Sequence, residues 1–408
     1  MTILGVIRLF ASLLSLAILA VAAYLLWSWR QGDLVRDIYG VLHRERETWR
    51  LWTGAALLVW SFMGRSIALP LLARGGKRRT STQHGQGSML ASPTGSSLFV
   101  ETHGPAGAPA IVFTHGWGMD CTFWDYARQD LSDRFRLVLW DLPGLGRSRP
   151  ANQAAISLSA FAVDLGAVIE ASGAGQVVLV GHSIGGMTIQ TLIRDHPQLR
   201  SRIAGVALLN TTYRNPLQTM LLGGLFLALQ RPVVEPMIRL TMLLSPLVWL
   251  SKWQSYLSGS AHLAQRFGFG KFVTRSQLEH TTLLSARSSP RVLGRGDLAM
   301  LHWDATGVLA RLRRPVLVIG GDKDIVTKLE ASRTLAAETE LASLEVVKGV
   351  NHMGPMERAD LYNQMIADFT LRVQPGASSD LRQPGDRLDG VGASGENRPS
   401  FGAPPSAY

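Results

Sequence analysis

Short, wholly apolar runs recur along the middle of the chain, and amphipathic stretches separate them. Ala110 to Thr114, Phe135 to Trp140, Val177 to Val180, Ile203 to Leu209, Val316 to Ile319 and Leu344 to Val347 are the clearest of these runs. Brief, continuous hydrophobic segments suit strands buried on both faces. Leu158 to Ala171, Met187 to Arg194 and Ala359 to Leu371 carry helix-compatible patterns instead. Strands alternating with helices predict an α/β fold, with a mostly parallel, doubly wound sheet covered on both sides. This patterning begins near Leu98 and ends near Val373, so residues 98–373 are expected to form one domain. No internal repeat is visible.

The ends of the chain read differently. Leu9 to Trp29 is uncharged over 21 residues, enough to span about 30 Å of hydrocarbon as a helix. Trp27 and Trp29 fall at its end, where aromatic belts sit, and Arg30 closes it. Ala20-Val21-Ala22 resembles a signal-peptide cleavage site, but the apolar stretch continues beyond it, which favours an uncleaved anchor. A second apolar run, Leu51 to Ala73, is interrupted by Arg65 and Pro70. It suits either a second span or an interfacial helix, because an arginine in mid-span costs about 2.5–3.5 kcal/mol. Residues 1–74 are thus a membrane-anchoring segment, 75–97 a polar linker, and 374–408, rich in Gly, Pro, Ser and Asp, a disordered tail. The connector 30–50 carries five Lys/Arg and 74–79 carries four, so the membrane face stays open.

Charge sharpens this picture. The net charge is +11 with a pI near 10.3, and residues 1–79 and 211–300 each contribute +7. The positive excess therefore lies in the two most apolar segments, a membrane-surface signature. The basic residues interleave with aliphatic runs and no nucleic-acid-binding motif accompanies them, which argues against nucleic acid as a partner. One cysteine, Cys121, excludes an internal disulfide and a cysteine-based zinc site.

The chemistry concentrates where apolar runs end. Val177 to Val180 leads directly into Gly181-His182-Ser183-Ile184-Gly185-Gly186, the Gly-x-Ser-x-Gly pattern of a sharp strand-to-helix turn that projects a serine. A serine needs a base, a group to orient that base, and donors for the developing oxyanion. The base candidate is His352, in Gly349-Val350-Asn351-His352-Met353-Gly354-Pro355, between the last strand and the last helix. The orienting acid is Asp324, delivered by the strand that ends at Ile319; Asp322, just after Gly320-Gly321, competes but suits a turn better. The oxyanion donors are the backbone N–H groups of Ile184, at a helix start, and of Trp117, in the turn His115-Gly116-Trp117-Gly118. No metal or cofactor is needed for this chemistry.

With Asp141-Leu142-Pro143-Gly144-Leu145-Gly146-Arg147-Ser148 added, five motifs stand in the order found in the α/β-hydrolase family, which residues 97–373 resemble. The resemblance implies a Ser183–Asp324–His352 triad, a structural role for Asp141 to Ser148, and supporting roles for His115 and His182. Relatives that attack alkyl halides or epoxides use aspartate at the elbow, so Ser183 argues against both reactions. It also implies a lid at about 211–300, where Met220 to Leu229 and Leu240 to Leu250 are almost wholly apolar and Arg231, Arg239 and Lys252 flank them. Such a lid either packs over the core or covers a lipophilic pocket and touches the bilayer.

The expected function is hydrolysis of a lipophilic carboxylic ester, such as a monoacylglycerol, at a membrane. The same triad also serves C–C bond hydrolysis or cofactor-free peroxidation, and the motifs do not separate these. A non-catalytic scaffold on this fold is the remaining reading.

Overall fold

A computed structural model describes residues 3–374. The six expected strands lie together in one eight-stranded sheet, joined by two that the sequence pattern did not single out. In chain order the strands are β1 (Asp33–Arg36), β2 (Leu42–Glu45), β3 (Gly87–Ala91), β4 (Ser97–His103), β5 (Ala110–Thr114), β6 (Arg136–Trp140), β7 (Val177–His182), β8 (Ile203–Leu209), β9 (Val316–Gly321) and β10 (Ala342–Val347). The sheet order is β10-β9-β8-β7-β5-β6-β4-β3. Strands β5 to β10 run parallel, and β3 and β4 add antiparallel pairs at one edge. Every residue of β5, β7, β8 and β9 is buried, as continuous apolar runs require. Each fully buried Val, Leu or Ile contributes about 1.5–3 kcal/mol of transfer free energy.

Helices cover both faces. Those that matter below are α1 (Ile3–Gln31), α2 (Thr48–Met63), α3 (Arg65–Leu72), α4 (Asp125–Leu131), α5 (Leu158–Ala171) and α6 (Ile184–Asp195). A helical lid lies between β8 and β9. It comprises α7 (Pro216–Thr219), α8 (Gly223–Ala228), α9 (Glu235–Leu243), α10 (Ser245–Ser258), α11 (Ser260–Arg266), α12 (Arg275–Arg287) and α13 (Pro290–Leu301). Helices α14 (Leu329–Ala337), α15 (Gly354–Glu357) and α16 (Ala359–Val373) complete the domain.

Three expectations need adjustment. The segment 75–97 is not linker throughout: Gly87–Ala91 pairs with β4 as an edge strand. Its pattern hid because an edge strand with one face in water buries little; four of its five residues are exposed. The connector between the two apolar N-terminal runs contains an antiparallel hairpin, β1 with β2. The apolar helix α1 is longer than Leu9 to Trp29 and carries Arg8 within it. The expectation for residues 375–408 falls outside the described residues.

Among the described residues one helix, Leu4–Gln31, is long and apolar enough to cross a membrane. The second apolar run bends by 63° between α2 and α3 at Gly64, and the lid pair 230–243 and 245–258 bends by 91°. Helix α1 packs antiparallel on α2, where a side chain on Gly54 would strike Leu26. It also lies along the lid: Ser15 and Ser258 share a buried 2.6 Å hydrogen bond, and the Arg8 guanidinium donates to Gln265 Oε1 at 2.5 Å.

Candidate active site

Strand β7 ends in a tight turn into α6. Ser183 sits at φ 53°, ψ −119°, a strained conformation for a residue with a side chain. Only glycine fits beside it: a Cβ on Gly185 would lie 2.2 Å from the Thr114 carbonyl oxygen. The turn lifts the serine hydroxyl out of the sheet, where it remains half-buried and lines a cavity of about 100 Å³.

The structure brings Ser183, His352 and Asp324 together from the ends of β7, β10 and β9. His352 Nε2 lies 3.1 Å from Ser183 Oγ, and His352 Nδ1 lies 3.1 Å from Asp324 Oδ2. The tautomer follows from the acid. Asp324 is buried, and burial alone would raise its pKa, but the adjacent imidazole and the hydrogen bonds around it hold the carboxyl below its ordinary range. Its oxygens accept from Asn210 Nδ2 at 3.0 Å, from Thr327 Oγ1 at 2.8 Å, and from the Val326 and Thr327 N–H groups at 2.8 Å each. An ionised carboxylate only accepts, so His352 Nδ1 donates to it and Nε2 is left to accept the serine proton. Asp322 lies elsewhere in the loop, accepting from Gly349 N–H at 2.6 Å.

The turn after β5 packs against the serine. A Cβ on Gly116 would meet His182 Nδ1 at 2.6 Å and Ser183 Cβ at 3.6 Å, so glycine allows the close approach. Trp117 lines the cavity there. Its indole donates to the Leu293 carbonyl of α13 at 3.1 Å and ties the turn to the lid. Ile184 is the first residue of α6, so its N–H has no acceptor within the helix and sits at the positive end of the helix dipole.

The supporting residues explain the rigidity of this arrangement. His182 is buried, stacks on Phe123, and donates from Nε2 to the His352 carbonyl at 2.9 Å. Burial first, and the neighbouring His352 next, push its pKa down to about 3, so it stays neutral. His115 accepts the Leu142 N–H at Nε2 (3.0 Å) and donates from Nδ1 to the Gly116 carbonyl (2.9 Å). Asp141 accepts from the Cys121 and Arg147 N–H groups at 2.7 Å each, and Ser148 Oγ donates to the Asp141 carbonyl at 2.6 Å. The Asp141 to Ser148 segment is therefore a turn held by its own hydrogen bonds. Donor atoms of His84, Cys121 and Asp141 lie within 4.8 Å of one another. Asp141 is already occupied by N–H donors, and burial pushes the Cys121 thiol well above its ordinary value, so this group suits a hydrogen-bonded knot better than a metal site.

Sequence reasoning did not find Asn210, Thr327, Tyr362 or Asn351. Asn210 follows β8 directly with φ 44°, and Tyr362 OH donates to its Oδ1 at 2.7 Å. Asn351 Oδ1 accepts from the N–H groups of Ile325 and His352 at 3.0 and 2.8 Å, stapling the acid loop to the base loop. A polar residue immediately after an apolar strand was the available signal for Asn210. Leu4, Gly5 and Arg8 of α1 also line the cavity, and nothing in the sequence pattern placed them there.

A model of the alpha/beta hydrolase family matches residues 111–365. The candidate carbamate hydrolase RutD of Caulobacter sp. (strain K31) is 26% identical over 284 residues, covering 69% of this chain and 98% of that protein. The pimeloyl-[acyl-carrier protein] methyl ester esterase of Aeromonas hydrophila is 34% identical over 111 residues, 27% of this chain and 41% of that protein. Among solved structures, a thermophilic esterase from Thermogutta terrifontis superposes with a TM-score of 0.58 at 23% identity, covering 71% of this chain and 99% of that one. A bromoperoxidase from Bacillus anthracis superposes with a TM-score of 0.56 at 18% identity, covering 70% and 100%. At these identities the structural likenesses establish the fold.

Proposed function

The chain belongs to the alpha/beta hydrolase family, and on that premise we propose that it is a serine hydrolase cleaving a lipophilic carboxylic ester at a membrane surface. The observation that carries the reading is the Ser183–His352–Asp324 relay, with both contacts at 3.1 Å. Ser183 Oγ attacks the acyl carbon while His352 Nε2 takes its proton. His352 then protonates the leaving alcohol, and Asp324 holds the Nδ1–H tautomer and offsets the charge on the imidazolium. The N–H groups of Trp117 and Ile184 bind the oxyanion. Water activated by His352 releases the acid and restores the serine.

Two features support the lipophilic and membrane parts. The cavity of about 100 Å³ beside Ser183 is lined in part by Met187, Leu293, Met300, Val326 and Met353, apolar side chains suited to hydrocarbon, together with Arg8, Thr212, Asp297 and Thr327. Helix α1 has the length and composition of a membrane anchor. The test is labelling of full-length protein in membranes by a fluorophosphonate probe, competed by esters, carbamates and peracids of increasing chain length. Labelling of Ser183 that long-chain esters block at the lowest concentration is expected. Absence of labelling overturns the hydrolase reading. Equal competition by water-soluble and long-chain esters overturns the lipophilic part, and preferential competition by carbamates or peracids reassigns the reaction.

A further inference from the structure

A second cavity adjoins the one beside Ser183. Gly5, Arg8, Leu293 and Asp297 line both, and the second has a volume of about 290 Å³. That second space lies between α1 and the lid. Leu9, Ser12, Leu13 and Leu16 of α1 form one wall, and Val248, Ser251 and Lys252 of α10 face them. Ser285 of α12 and Pro290 of α13 close the far side.

Three further observations bear on what it holds. The lining is dominated by hydrocarbon, and its two cations are engaged: Arg8 donates to Gln265 Oε1 and is attracted to Asp297, and Lys252 Nζ donates to the Ser288 carbonyl at 2.6 Å. Ser255 Oγ and Gln265 Nε2, whose residues also line it, have no hydrogen-bond partner among the described residues. The rim is apolar and open, because Leu13, Leu16, Leu244 and Leu247 line the space and are all exposed. The inner end of α1 reaches the base loop, where Leu4 Cδ1 and Met353 Cγ both lie within van der Waals distance of a Cβ built on Gly268.

We propose that this second cavity is an acyl-chain chamber in which the anchor helix α1 forms one wall, so that a fatty acyl group enters from the bilayer between α1 and α10 and reaches Ser183 past Leu293. The proposal rests on the ester-hydrolase reading above and adds the substrate class and the route. An apolar cavity of about 150 Å³ admits a benzene ring, so one of about 290 Å³ accommodates on the order of ten chain carbons. A longer tail continues through the leucine rim into lipid. The acyl group is assigned to the chamber because it stays bonded to Ser183 after the alcohol has left and water has come in. An anchor helix that is also a pocket wall couples membrane insertion to substrate selection.

The experiment uses full-length protein in lipid vesicles. The ratio of kcat/KM for decanoyl to acetyl p-nitrophenyl esters is measured for the natural sequence, for Ser12→Trp on α1, for Ser251→Trp on α10, and for Val21→Trp. Val21 is exposed on α1 and outside the chamber. Both chamber variants are expected to lower the ratio at least tenfold, and Val21→Trp to leave it within twofold. In parallel, Ser183→Ala protein is crosslinked to a non-hydrolysable decyl ether carrying a mid-chain diazirine. Crosslinks are expected within residues 8–16 and 244–252. A ratio unchanged by both tryptophans, or crosslinks confined to other segments, overturns the chamber. The crosslinking does not depend on turnover, so its success alongside a catalytically silent wild type separates failure of the hydrolase reading from failure of the chamber.

Discussion

The two halves of this site obey different physical rules. At the carboxyl ends of the strands polar groups meet partners: Asp324 receives five hydrogen bonds, and His182, His115, Asn210 and Asn351 each bridge two segments of backbone or side chain. At the lid and α1 the order reverses. Leu13, Leu222, Leu225, Leu243, Leu247 and Leu250 are exposed apolar side chains on neighbouring elements. A soluble monomer rarely leaves such a patch uncovered. The first region is built to hold three atoms at fixed distances, because an error near 1 Å costs about 10²-fold in rate. The second leaves its leucines exposed, as the proposed bilayer contact would require. Sequence motifs describe the first kind of region, and composition alone describes the second.

The comparison breaks most sharply at its centre. Ser183→Ala is expected to lower ester turnover by at least ~10⁴-fold, because it removes the proposed nucleophile. Circular dichroism should be unchanged, since the half-buried hydroxyl's contact is with His352. Residual turnover above one part in a hundred would place the nucleophile elsewhere. Asp324→Asn comes next, at about 10⁴-fold in kcat. An amide at that position presents a donor to His352 and turns the imidazole the wrong way. A loss of tenfold or less would mean that Asp324 is a loop staple and no more.

How far these regions were legible follows from how local their causes are. The strands from β5 to β10 and the elbow at Ser183 were readable because each is set by a contiguous run of residues. Asp324 was separable from Asp322 because Asp322, immediately after Gly320-Gly321, suits a turn. Strand β3 was not readable, because its exposed Gly-Ser-Met pattern resembles a loop. Tyr362, which orients Asn210 from a helix 152 residues away, has no local signal at all. The same holds for Leu4, Gly5 and Arg8: their helix was plain in the sequence, but its docking on residues near 258 and 265 depends on packing across the whole chain.

A third measurement tests whether the catalytic edge depends on a neutral His182. Its folded pKa of about 3 lies below the ordinary value near 6.5. Between those limits the unfolded chain takes up a proton that the folded chain refuses, so stability falls as the pH drops from about 6.5 toward 3. His182→Gln keeps a donor for the His352 carbonyl and removes the proton uptake. Between pH 7 and pH 5 the natural protein should lose about 4 °C more in Tm than this variant, by calorimetry in the same detergent. Parallel Tm curves would show that His182 is solvated, contrary to its burial.

The smallest effect belongs to the outer face. Leu243 is 74% exposed at the corner between α9 and α10 and lines neither cavity. If that corner sits in lipid, Leu243→Asp carries a charge into the interface, at a cost of roughly 1 kcal/mol near the surface and more at depth. The expected result is a three- to tenfold fall in kcat/KM for a long-chain ester presented in vesicles. Turnover of a water-soluble acetate should stay within twofold, because the side chain touches neither Ser183 nor the chamber. Equal losses on both substrates would mean that the substitution disturbs the lid itself. Equal retention of both would mean that the leucines face water, and the contrast between the two regions would then need another origin than the bilayer.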